Sequence, residues 1–174
     1  PTTIVDIMPS GGTVKEGELL IVPVELHTPL DKESWPVSEA TVRFDTTLFT
    51  FESLGPSDGC LLASAGLHAR VLGDAVIVTT GKKVLLDGKG ILFRLAFRAR
   101  ILEKYSCAPL SLEIWKFTNG CLRAQTGSVE TCVETKRPLM LCSIEAPPLL
   151  RWNPSKRAYD PDSFTVTARY TNAG

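Results

Sequence analysis

Residues 82–101, KKVLLDGKGILFRLAFRARI, hold the reading that decides the fold. Ile91, Phe93, Leu95, Phe97, Ala99 and Ile101 fall on one side of an alternation, and Leu92, Arg94, Ala96, Arg98 and Arg100 fall on the other. A period of two over eleven residues predicts a strand with one buried and one solvated face, because successive side chains point to opposite sides of the pleat. Phe93, Leu95 and Phe97 are therefore expected in the core. Just before them, Asp87-Gly88-Lys89-Gly90 predicts a tight turn, since glycine supplies the positive φ that such turns need.

Working outward, further strand candidates follow at short intervals, broken by Gly, Pro, Asp and Asn. They are Thr3–Met8, Glu18–His27, Val37–Phe44, Leu48–Leu54, Leu67–Leu72, Ala75–Thr80 and Leu110–Phe117. Pro23 cannot donate to a ladder, so its strand is expected at a sheet edge or with a bulge there. Gly73-Asp74 is a hairpin dipeptide. No segment carries the 3.6-residue periodicity of an amphipathic helix. Many short strands separated by turn signals predict an all-β fold, an antiparallel two-sheet sandwich.

Composition excludes several functions. The 174 residues carry 19 Lys plus Arg and 19 Asp plus Glu, a net charge of zero, which argues against a nucleic-acid binder. No apolar run reaches the length of a membrane span. The chain opens at Pro1 with no signal peptide, which reads as a mature product or an excised piece. Five cysteines without a CxxC pair, and only two histidines, give no zinc pattern. One Asp per turn, as at Asp87-Gly88 and Asp58-Gly59, suits a turn better than calcium. No metal and no cofactor are expected.

The cysteines allow one disulfide. Ser128–Thr135 and Pro138–Glu145 read as two strands of a hairpin around Lys136-Arg137, which would set Cys132 opposite Cys142. Cys107 and Cys121 flank the extended run 110–117 and are expected to lie far apart. The alternative is five unpaired thiols. Beyond Ala146 the character changes. Pro147–Pro154 suits an extended connector, and Ser163–Thr171 alternates as one more strand. Such a strand needs a partner, in its own sandwich or in a strand-swapped dimer through residues 158–174.

The order of these motifs resembles the cohesin domains. Gly17-Glu18-Leu19-Leu20-Ile21-Val22-Pro23-Val24-Glu25-Leu26 is similar to their G-x-x-V-x-V-P-V opening. Val42-Arg43-Phe44-Asp45 with Leu48 and Phe51 is similar to their hydrophobic-x-Tyr-Asp strand, with Phe44 in place of the tyrosine. Asp87–Phe97 resembles their D-G-x segment leading into F-x-A, and Leu110–Glu113 and Gly127–Val129 fit the remaining strands. The resemblance implies a nine-stranded jelly roll over residues 1–145, in a secreted or surface-attached bacterial protein. Cohesins hold calcium-dependent dockerin modules through one sheet face. Residues 146–174, a proline-rich linker and Tyr159–Gly174, look like the opening of an immunoglobulin-like repeat.

The expected role is a noncatalytic binding module of a larger extracellular protein. Its partner would be dockerin-like, another surface protein or a polysaccharide; a passive spacer is the remaining alternative. The outer sheet face bearing Thr41, Arg43, Arg94, Arg98 and Glu113 is the expected contact surface. Trp115 shares parity with Glu113 and would join that face as an aromatic able to stack on a sugar. For the basic side chains a solvated face paired with carboxylates such as Glu25 or Glu113 is the simpler reading. No arrangement of Ser, His and Asp suggests catalysis.

Overall fold

The computed structural model describes residues 1–136, 140–146, 149–161 and 163–172. The chain divides into two compact units, 1–135 and 136–174. The first unit contains β1 (Thr3–Pro9), β2 (Gly12–Lys15), β3 (Leu19–Trp35), β4 (Ser38–Arg43), β5 (Phe49–Leu54) and β6 (Leu67–Leu72). It continues through β7 (Ala75–Thr80), β8 (Val84–Ala99), β9 (Ser106–Phe117), β10 (Leu122–Thr126) and β11 (Ser128–Glu134). These make a five-stranded sheet, β10-β1-β3-β8-β5, facing a six-stranded one, β2-β11-β9-β4-β7-β6. The fold is all-β, a two-sheet jelly-roll sandwich, and no helix occurs among the described residues.

The first and last strands of the sandwich each serve both sheets. β1 passes into β2 at Ser10-Gly11, and β10 into β11 at Gly127. They run side by side in parallel, Thr3↔Leu122 through Ile7↔Thr126 in one sheet and Gly12↔Thr131 through Lys15↔Glu134 in the other. Counting each bent strand once gives nine strands. Glycine is required at Gly11, where a Cβ would collide with the Glu130 carbonyl; a Cβ on Gly127 would meet only the end of the flexible Met8 side chain.

The alternation that opens the sequence reading holds for the burial of Phe93, Leu95, Phe97 and Ala99, whereas Leu92 and Ala96, on the face expected to be solvated, are buried too and Ile101 is exposed. Phe93, Leu95 and Phe97 are buried, and Phe97 packs against Phe44, Phe49 and Phe51 at centroid distances of 5.1, 6.1 and 5.6 Å. The turn expected at residues 87–90 is not one. β8 starts at Val84 and runs through it, opposite a β3 that reaches Trp35. Gly88 and Gly90 take φ of 83° and 147°, and the β3–β8 register slips on either side of Leu30↔Gly88. Their conformational freedom keeps β8 paired opposite the extra residues that β3 carries between Leu26 and Glu33, instead of making a reversal. Pro23 sits just beyond the last β1–β3 pair, Pro9↔Val24, and its carbonyl accepts from Ser10 N, so its donorless nitrogen faces a side where the ladder has ended; of the two expected solutions the chain uses a locally unpaired edge.

In the second unit β12 (Met140–Glu145) pairs antiparallel with β15 (Thr167–Asn172). β13 (Arg151–Asn153) pairs with β14 (Ala158–Asp160), where Trp152 meets Tyr159 edge-on. The hairpin expected around Lys136-Arg137 is overturned. β11 takes β2 and β9 as neighbours, and β12 takes β15. The strand that the sequence left in need of a partner pairs with β12, which belongs to the second unit and not to the sandwich of residues 1–135. Arg137, Pro138 and the Pro147-Pro148 part of the expected connector lie outside the described residues.

Candidate functional site: the outer face of the six-stranded sheet

The contact surface expected from sequence is divided between two sheets. Thr41 and Arg43 project outward from β4, and Glu113 from β9, on the six-stranded sheet. Arg94 and Arg98 project from β8 on the five-stranded sheet. Alternation reports which side of its own strand a residue takes, but not which sheet the strand joins. Both β8 arginines are engaged within the sandwich. Arg98 grips Glu52 through Nε and Nη2 at 3.0–3.1 Å and donates from Nη1 to the Gly17 carbonyl. Arg94 Nη1 donates to the carbonyls of Pro56 and Asp58, both at 2.8 Å, and lies 3.2 Å from Cys60 Sγ. It thereby holds the loop after β5 over one wall of a 330 Å³ cleft that includes Leu54, Phe93 and Leu67.

Trp115 is not on the surface. It is 8% exposed and packs against Trp35, Phe93 and Phe117. The cause is a bulge in β9: Ile114 pairs with Thr41 but Leu112 pairs with Val42, leaving Glu113 as the extra residue. One inserted residue reverses parity for everything after it. Trp115 therefore turns inward, and Ile114, which alternation would have buried, turns out to 45% exposure. Sequence reasoning missed Ile114, yet a signal exists. Leu110 and Leu112 are apolar on one phase and Trp115 and Phe117 on the other, which a single flat strand cannot bury together.

The register assembles this face in rows. Ile114, Thr41 and Ile77 lie side by side on β9, β4 and β7, and Ser111, Arg43 and Ala75 form the next row. Arg43 anchors the polar side of the patch. Its Nε donates to Glu113 Oε2 at 2.7 Å and its Nη1 to Asp74 Oδ1 at 2.6 Å. The Glu113 hydrogen bond first, then the charges of Asp74 and Glu113, raise the guanidinium further above the ordinary arginine value. Around it lies a shallow depression of about 400 Å³ lined by Arg43, Asp45, Asp74, Pro109 and Glu113. The exposed apolar side chain in these rows is Ile114, beside the charged Arg43–Glu113–Asp74 network.

The disulfide expected between Cys132 and Cys142 is corrected. Cys132 is bonded to Cys107, its directly opposed residue in the β9–β11 ladder. The premise of the other pairing, a hairpin joining β11 to β12, does not hold. Cys60 and Cys121 are free thiols.

No protein-family model matches the chain, and no curated protein matches it in sequence. Solved structures do match. A type I cohesin–dockerin complex from Clostridium thermocellum aligns with a TM-score of 0.60 at 9% identity, over 76% of this chain and 94% of that one. The seventh ScaB type I cohesin of Pseudobacteroides cellulosolvens gives 0.60 at 10%, over 79% and 97%. A non-cellulosomal cohesin from Archaeoglobus fulgidus gives 0.56 at 16%, over 78% and 93%. The fold is that of the cohesins. At these identities the likeness is one of fold alone. Within this cohesin fold, Thr41, Arg43 and Glu113 come together on one sheet, while Arg94 and Arg98 belong to the other.

Proposed function

We propose that residues 1–135 form a noncatalytic protein-binding module that takes a folded partner, of dockerin type, on the outer face of the six-stranded sheet. The observation that carries this is Ile114, turned out by the β9 bulge beside Thr41 and next to the Arg43–Glu113–Asp74 network. Support for the partner class comes from the matching structures, two of which are cohesins in complex with dockerins from Clostridium thermocellum. The parent protein is read as extracellular or cell-surface and bacterial. The stretch from Ala146 onward is read as a linker and the opening of a following immunoglobulin-like domain. The burial of Trp115 removes the aromatic on which a sugar-binding reading of this face rested.

The test immobilises the chain and passes a panel of dockerin modules over it in calcium. At least one module is expected to bind, and Ile114→Asp is expected to weaken it at least 100-fold. Ile21→Asp, on the outer face of the five-stranded sheet, is expected to leave binding within twofold. A silent panel, or loss of binding on Ile21→Asp with Ile114→Asp unaffected, would overturn the reading.

A further inference from the structure

Three metal-ligating groups converge at the other end of the same sheet. Cys107 on β9 and Cys132 on β11 are directly opposed, with Cα atoms 4.1 Å apart. Glu130 lies two residues before Cys132 and so shares its side of the strand. Its Oε1 stands 3.7 Å from Cys132 Sγ, and ligand atoms of all three side chains lie within 4.8 Å of one another. In a tetrahedral zinc site with Zn–S of ~2.3 Å and Zn–O of ~2.1 Å, sulfur and oxygen ligands stand about 3.6 Å apart. Glu130 is thus already at ligand spacing from Cys132. Only the sulfur–sulfur bond, which holds the two sulfurs far closer than two ligands stand, closes the site.

We propose that reduction of Cys107–Cys132 opens a three-ligand site for a borderline-soft divalent cation, Zn²⁺ foremost, made by Cys107, Cys132 and Glu130. A dithiol reductant supplies the two electrons. One of its sulfurs attacks the disulfide, the Cys107–Cys132 bond breaks, and the reductant leaves as its own disulfide while two thiols remain. Cation binding then forms two sulfur–metal bonds and releases the two thiol protons. Two thiolates and a carboxylate select against calcium and magnesium, which take oxygen donors. Cys107 is exposed, which gives the ion a way in and leaves the fourth position to water. The strands supply rigidity, with Thr131 Oγ1 donating to the Ala108 carbonyl across the same ladder. The site is independent of the partner-binding reading.

The experiment uses the full chain with Cys60, Cys121 and Cys142 changed to Ser, and the native chain with free thiols alkylated before reduction as a second preparation. Each is reduced with a phosphine and titrated with Zn²⁺ against a chromogenic chelator. One ion per chain is expected, bound at least 100-fold more tightly than by the oxidised form, and Co²⁺ is expected to give thiolate-to-metal absorption. Glu130→Gln is expected to weaken zinc at least tenfold, and Glu134→Gln to leave it within twofold. The proposal is overturned if the reduced protein binds no better than the oxidised one. It is equally overturned if Glu130→Gln matches the parent, or if sheet circular dichroism is lost on reduction, because the site needs both strands in register.

Discussion

Trp115 lies edge-on against Trp35, ring centroids 5.6 Å apart and planes at 89°, in the interior of the sandwich. Both indoles are buried, and neither Nε1 meets a protein acceptor. Truncating either ring leaves a cavity lined by Phe93 and Phe117 or their neighbours. Trp115→Ala is expected to cost roughly 3–5 kcal/mol in urea unfolding. Trp115→Phe should cost clearly less, since no hydrogen bond is lost with the indole nitrogen.

Gly11 is where β1 hands over to β2. Gly11→Ala sets a Cβ against the Glu130 carbonyl, a backbone atom that cannot rotate away. A loss on the order of 2 kcal/mol is expected. Gly59→Ala, where a Cβ meets nothing within 4 Å, reports only the strain of a positive φ of 70°. The difference in thermal midpoint between the two variants measures the collision.

The Cys107–Cys132 bond closes a sequence separation of 25 residues. Loop-closure entropy gives it a stabilisation of about 3–4 kcal/mol in the chain-entropy account. Cys107→Ser with Cys132→Ser should lower the urea midpoint accordingly. Non-reducing peptide mapping should link Cys107 to Cys132, with no Cys132–Cys142 peptide.

Much of this was legible in the chain, and the exceptions share a cause. Burial of Phe93, Leu95 and Phe97 follows from alternation, and the bounds of β6 and β7, residues 67–72 and 75–80, follow from the Gly73-Asp74 turn between them. Alternation fails where a residue is inserted. At Glu113 one extra residue moves Trp115 inside and Ile114 outside, and opposite Gly88 and Gly90 the extra residues lie in β3, between Leu26 and Glu33, while β8 runs on as a strand where a reversal was expected. Pairing is a separate matter. Nothing local in β11 distinguishes a β12 neighbour from β9, so the partner of Cys132 follows from long-range register. The division of the arginines between two sheets has the same origin.

Arg43 joins β4 to the β9 bulge through Glu113 and to the β6–β7 turn through Asp74. Its raised value means the folded state holds the proton more tightly, so the contribution is fully present below the ordinary arginine value and fades only as pH rises past it. Arg43→Ala should therefore change stability by the same amount at pH 6 and pH 9. High salt should shrink that difference, because both pairs are exposed.

The two units carry their own pairings, so a chain ending at Thr135 is expected to keep the circular dichroism and thermal midpoint of the sandwich within a few degrees. A collapse of that midpoint would show that residues 136–174 are part of its stability.

The parallel run of β1 and β2 beside β10 and β11 has a mechanical consequence. Because the two bent strands point the same way, the chain enters the sandwich at one end of the seam and leaves at the other. Tension between Thr3 and Glu134 pulls the two strands past each other along their length. The ladder bonds across the seam then share the load together, where a hairpin pulled at its open end would give them up singly. The sandwich is wired as a shear joint, and a domain set in series with others would transmit force along that seam before it yielded.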